Sequence, residues 1–160
     1  MSTKADYTPD QWKAIAAAPV LAGLYITISD ASGLVGITKE AMAVGKAIST
    51  AAATSPSELV KSLGESVKAA GGRPEMPELP RRNAAETKSA IMKVLQEAKA
   101  AVATQSPAEA DEYTKWVLSV AKSVAEASKE GGFLGFGGMQ VSADEEASLK
   151  ELSGGLGVNA

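Results

Sequence analysis

The chain contains no cysteine and no histidine. That excludes disulfides, thiolate nucleophiles, imidazole bases and the usual zinc, iron and haem ligand sets. Any chemistry would have to run on carboxylates, lysine, tyrosine or serine. The lack of thiols leaves the redox compartment open, because such a chain is at ease in reducing and oxidising surroundings alike. Aromatic residues make up only 4% of the 160 residues, and the two phenylalanines, Phe133 and Phe136, fall in one short stretch. Basic residues are not in excess: the net charge is -3 and the pI is near 5.1. The clustered Lys and Arg that neutralise phosphates are therefore missing, and nucleic acid is not an expected partner. The opening MSTKADYTPD lacks the charged-then-apolar pattern of a secretory leader, so no signal peptide is expected. No convincing run alternates polar and apolar residues, so strands are not expected either.

What remains is a helix-forming chain, 45% hydrophobic and rich in Ala, Leu, Val, Lys and Glu. Six helix starts carry a hydroxyl or amide cap with an acid or glutamine close behind: Thr8-Pro9-Asp10-Gln11, Thr38-Lys39-Glu40, Ser55-Pro56-Ser57-Glu58, Asn83-Ala84-Ala85-Glu86, Ser106-Pro107-Ala108-Glu109 and Ser142-Ala143-Asp144-Glu145. Apolar residues then recur every three or four positions, as in Leu59, Leu63 and Val67, or Ile91, Leu95, Ala98 and Val102. The pattern predicts an all-α, single-domain bundle over 1–160 with helices near 9–29, 38–53, 56–70, 84–104, 107–130 and 142–153. Gly71-Gly72, Gly131-Gly132 and Gly154-Gly155 sit where left-handed helix caps are needed.

Two segments depart from the amphipathic norm. Ala14 to Ile28 carries no charge and contains Pro19 and Gly23; about fifteen helical residues rise roughly 22 Å, short of a hydrocarbon core of about 30 Å. This segment reads as a central helix, kinked at Pro19, with membrane association as the other reading. The connector GGRPEMPELPRR, 71–82, places prolines at 74, 77 and 80, the three-residue period of a polyproline II helix. It reads as a stiff strap returning the chain along the bundle; Pro77-x-x-Pro80-x-Arg82 also matches a proline ligand for an aromatic groove.

A shift of 104 residues overlays Trp12 on Trp116, Val20 on Val124, Gly33 on Gly137 and Thr38 on Ser142. The overlay suggests two related helix–loop–helix units, 8–53 and 107–155. In the second loop, GGFLGFGG puts five glycines into eight positions. It cannot be a dinucleotide fingerprint, since Gln140 stands where the last glycine belongs and no strand precedes it. Either Phe133 and Phe136 plug into the core, or an exposed Phe133-Leu134-x-Phe136 tip touches a partner or a bilayer. Asp30 and Glu40 are candidate oxygen ligands for a divalent cation, although an EF-hand register from Asp30 fails at Leu34 and Ala41. Acids in a first helical turn are also expected from the helix dipole alone. Ser119-x-x-Lys122 spells the serine–lysine pair of penicillin-recognising enzymes, but it stands alone on an amphipathic helix without a Lys-Thr-Gly.

The segments Asp30-Ala31-Ser32-Gly33, Ile37-Thr38-Lys39-Glu40 and Gly138 with Val141-Ser142-Ala143-Asp144-Glu145 resemble TerB-like tellurite-resistance domains. The resemblance covers mainly these loop–helix junctions, and the second unit lacks an acid matching Asp30. It implies an all-helical, two-unit fold and a stress-response module that works through partners, in the cytoplasm or next to a membrane. An acidic, metal-related surface is carried over only to Asp30 and Glu40. The reading as a whole is a non-catalytic binding or scaffold module, with a protein partner or a second copy, and with a membrane surface as a further contact. It needs no cofactor beyond a divalent cation on those carboxylates. The alternative is a carrier holding an apolar small molecule or lipid in a cavity around the first helix.

Overall fold

The computed structural model describes residues 2–29, 37–80, 83–129 and 143–158, with side chains described from Val44 in the second helix and up to Ala127 in the fifth. Six α-helices form within them: α1 (Pro9–Ser29), α2 (Ile37–Thr54), α3 (Glu58–Ala69), α4 (Ala84–Gln105), α5 (Ala110–Lys129) and α6 (Ala143–Gly155). Short 3-10 turns occupy Lys4–Asp6 and Pro107–Glu109. No strand occurs among the described residues. The all-α expectation holds, and the helices fall within about three residues of their expected bounds. The helix near 142–153 runs on to Gly155, and the N-terminal turn, which was not expected, is closed by Asp6 Oδ2 accepting from the Thr3 N–H at 2.7 Å.

The caps explain where the helices begin. At α1 the box is reciprocal: the Gln11 N–H donates to Thr8 Oγ1 at 3.2 Å, and the Thr8 N–H donates to Gln11 Oε1 at 3.0 Å. At α4 Asn83 Oδ1 accepts from the Glu86 N–H at 2.8 Å. Three expected caps are displaced. At α2, which begins at Ile37, the expected cap Thr38 already lies inside the helix. Ser55 does not start a helix; its hydroxyl accepts from the Ser57 N–H at 3.2 Å, and Ser57 is the cap of α3, accepting from Val60. Ser106 opens only a 3-10 turn, and Glu109 does not reach back to it. Instead Glu109 reaches across the fold, taking the Ser57 hydroxyl at 2.9 Å and the Leu59 N–H at 3.1 Å on Oε1, and the Ser2 N–H at 3.3 Å on Oε2. A carboxylate from the 3-10 turn that precedes α5 thus satisfies an orphan donor at the positive end of α3.

The C-terminal ends differ from expectation in one place. Gly71 and Gly72 are left-handed, at φ 68° and 77°, and the Gly72 N–H returns to the Val67 carbonyl at 2.9 Å. Gly154 and Gly155 remain inside α6, and the left-handed position falls to Gly157 at φ 66°. The reason lies on α4: Gln96 Nε2 donates to the Gly155 carbonyl at 3.0 Å, and the Lys99 ammonium donates to the Leu156 carbonyl. These side chains satisfy the terminal carbonyls and let α6 run on. Gly131-Gly132 lie outside the described residues.

α1 is the axis of the bundle, packed against α4 and α5 most extensively and touching α2, α3 and α6 as well. Ile15, Ala17, Leu21, Ala22 and Ile26 are completely buried on it. Its small residues let neighbours come close: a Cβ at Gly23 would lie 2.9 Å from Val44 Cγ2 and 3.1 Å from Val124 Cγ2. α1 is long and apolar enough to cross a membrane, but 61% of its most apolar window is buried against the other helices. Its place at the centre of the bundle accounts for that composition.

Pro19 sits within this helix and removes the N–H that would serve the carbonyl four residues earlier, at Ile15. The replacement donor comes from α5. Tyr113, 1% exposed, donates its hydroxyl to the Ile15 carbonyl at 3.0 Å. Burial pushes the Tyr113 hydroxyl's pKa well up, so it remains a donor at any ordinary pH. Three residues on, Trp116 Nε1 donates to the Ile48 carbonyl of α2 at 3.4 Å. The two aromatic anchors tie α5 to both neighbouring helices.

The connector after α3 behaves as the expected strap. Residues 73–80 form neither helix nor strand, Pro74 is buried, and Met76 and Leu79 pack against the core. Lys13 of α1 pairs with Glu75 at 2.8 Å and pins the strap from outside. The strap packs its proline edge on its own bundle at Pro74, leaving Pro77 half-buried and Pro80 exposed.

Candidate functional site

Two concave surfaces flank the first turns of α4, and both use the C-terminal half of α1. On one side, Leu24 and Ile28 of α1 stand a turn apart and face Met76, Pro77 and Leu79 of the strap, with Thr87 at the end. These residues line a half-open groove of about 710 Å³. Its apolar walls follow from topology. The strap has no hydrogen-bonded partner strand to shield α1, so it covers that helix only with isolated side chains. Thr87 donates its hydroxyl to the Pro80 and Asn83 carbonyls, at 2.7 and 2.9 Å. Among the described residues, Glu78 is the single charge on the lining.

On the other side, α1, α4 and α6 enclose a polar cleft of about 530 Å³, lined by Tyr25, Lys88, Ser89, Met92, Gln96 and Glu151 among others. A connected network forms its floor. The Lys88 ammonium donates to Glu151 Oε2 at 3.0 Å and to Ser148 Oγ at 3.2 Å, and lies 4.5 Å over the Tyr25 ring. The Tyr25 hydroxyl donates to the same Glu151 oxygen at 2.8 Å, and Ser148 and Ser29 share a 2.7 Å hydroxyl contact. Lys88 and then Tyr25 hold the Glu151 carboxyl below its usual range. Burial, reinforced by the adjoining carboxylate, pushes the Tyr25 phenol well up. Lys88 is therefore fixed by a carboxylate, a hydroxyl and an aromatic face together, a far more rigid ammonium than a surface lysine usually offers. Chemically the cleft holds charge in place; every polar group on its floor already has a partner.

The residues singled out from the sequence fall elsewhere. Phe133, Leu134, Phe136 and Asp30 lie outside the described residues, and Glu40 lies in the first turn of α2 with its side chain outside the description. The overlay of the two units rests on the same loops. Among the described residues no three acids gather closely enough to hold a metal ion. The Ser119 hydroxyl donates to the Trp116 carbonyl of its own helix at 2.7 Å, the ordinary fate of a helical serine. Sequence reasoning missed the Tyr25–Lys88–Glu151–Ser148 network, because its members come from three helices and share no short motif. Inside the bundle, the space bounded by Ala18, Leu95, Tyr113, Val117 and Leu156 is filled by those side chains themselves. Among the described residues, two open volumes with apolar walls run along α1: the groove under the strap, about 710 Å³, and a smaller one of about 430 Å³ near its N-terminal end, where Ala14 faces Ala100 and Ala101 of α4 between Asp10, Gln11, Glu97 and Thr104.

No protein-family model matches the chain, and neither the curated proteins nor the solved structures give a match to it.

Proposed function

We propose that this protein is a non-catalytic helical binding module, and that its ligand lies in the groove between α1 and the strap. The observation that carries this reading is the pairing of Leu24 and Ile28 with Met76, Pro77 and Leu79 around about 710 Å³. That volume is within the range of small-molecule sites, which are concave and mostly apolar with few polar groups. An elongated apolar molecule fits the lining, which favours the carrier form of the reading. The TerB-like form, a stress-response module meeting a protein partner or bilayer through Phe133, Leu134 and Phe136 and a cation through Asp30 and Glu40, draws support from the resemblance. α2 begins at Ile37, which puts Glu40 in its first turn and Thr38 one residue inside the helix rather than at its cap. The place of action that goes with it is the cytoplasm or its membrane face.

Native mass spectrometry of the purified protein, followed by titration with a fluorescent apolar probe, tests the groove. Replacing Leu24 and Met76 with Ser and Gln should weaken probe binding at least about tenfold, as expected for losing two apolar contacts at about 1 kcal/mol or more each. Equal affinity in the variant would show that the groove is not the binding surface. Calcium or manganese retained by the unaltered protein and lost on Asp30→Asn with Glu40→Gln would move the reading to the TerB-like form.

A further inference from the structure

α6 is attached unlike the axial helix. Of its 13 residues only Glu145, Ser148 and Leu152 are buried, with Leu156 following just beyond, whereas α1 buries eleven residues from Trp12 to Ile26. α6 packs on α1 and α5, and on the α4 side its attachment is made mainly by long polar side chains. Lys88 reaches Glu151, Gln96 reaches the Gly155 carbonyl, and Lys99 reaches the Leu156 carbonyl. Between these tethers the two helices stand apart around the cleft of about 530 Å³. The last turn carries Ser153, Gly154 and Gly155, which are poor helix formers. Two buried leucines with Leu149 half-buried beside them, a close contact of Met92 with Gly155, polar tethers across the cleft and weak propensity are the features of a unit that opens below the threshold for global unfolding.

We infer that α6 is a detachable latch: it leaves α1, α4 and α5 as a unit while the rest of the bundle stays folded. Its release uncovers the apolar seat that Leu156 fills beside Ala18, Leu95, Tyr113 and Val117. The device is reversible and sensitive to salt, because the Lys88–Glu151 pair, with Glu151 more than half exposed, is weakened by screening. It is independent of whether the α1–strap groove takes a ligand.

Amide hydrogen exchange on the unaltered protein tests the inference. The central α6 amides, Ser148 to Leu152, should exchange at least about tenfold faster than those of Leu21 to Ile26 in α1, after correction for intrinsic rates. Raising the salt concentration should widen the gap. The absence of cysteine permits a second measurement. The Met92 side chain lies against the place where a Cβ at residue 155 would stand, so Met92→Cys with Gly155→Cys can be joined by a disulfide. Oxidation should slow central α6 exchange to the rate of the core, and reduction should restore it. Central α6 amides as slow as those of α1, or exchange unchanged by the cross-link, would overturn the latch.

Discussion

At the scale of single residues, the pairing of Tyr113 with Ile15 is the sharpest test of how the core is held. Tyr113→Phe keeps the ring and removes only the hydroxyl, leaving the Ile15 carbonyl buried without its donor; the expected loss is about 1–3 kcal/mol in urea unfolding. In a Pro19→Ala background the backbone N–H at 19 can serve that carbonyl, so Tyr113→Phe should cost clearly less there. A double-mutant cycle with equal costs in both backgrounds would refute the pairing. Glu109 offers a second test. Its burial works against the charged form, but the bonds from Leu59, Ser57 and Ser2 outweigh it and hold the carboxyl below its ordinary range. A depressed folded pKa contributes stability that is complete above the unfolded value, about 4.3, and is lost as pH falls through the folded one. Glu109→Ala should therefore be destabilised by about 1–3 kcal/mol at neutral pH. Denaturant midpoints measured from pH 7 to pH 3 should show the gap to the unaltered protein narrowing on acidification.

Between whole helices, glycine marks which approaches are close and which are open. A Cβ at Gly64 of α3 would fall inside the van der Waals shell of the Ala52 Cβ on α2, so Gly64→Ala must push the two helices apart. A loss of about 1–3 kcal/mol follows. Gly45 of α2 has nothing within 4 Å of the same construction, and Gly45→Ala should stabilise by about 0.5–1 kcal/mol through helix propensity. Thermal melts of the two variants should move in opposite directions. The helices themselves were legible from the sequence because apolar spacing and local caps act within one element: Thr8 with Gln11, and Asn83 with Glu86. The misplaced starts of α3 and α5 have a common physical cause. Ser55 and Ser106 carry the right local signal, yet Ser57 and Glu109 found better partners in each other across the fold. A capping acid diverted to a second helix leaves no trace in the spacing around it.

For the molecule as a whole, apolar α1 is best understood through its position, since a rod enclosed by others has no face left to make polar. That much followed from its lack of charge. The groove did not, because it needs the strap to lie beside Leu24 and Ile28, and a proline period gives the stiffness of a segment without saying which helix it crosses. The polar cleft was hidden for the same reason, with Tyr25, Lys88 and Glu151 separated along the chain by whole helices. The Tyr113 hydroxyl has one more consequence, which concerns time. Ile15 and Tyr113 are 98 residues apart, so at a synthesis rate of about 5–20 residues per second the N-terminal rod waits roughly 5–20 s on the ribosome before its missing donor has been made. α1 is thus made well before the helix that completes it, and the interval before α5 emerges is the stage at which a holding chaperone would have most to protect.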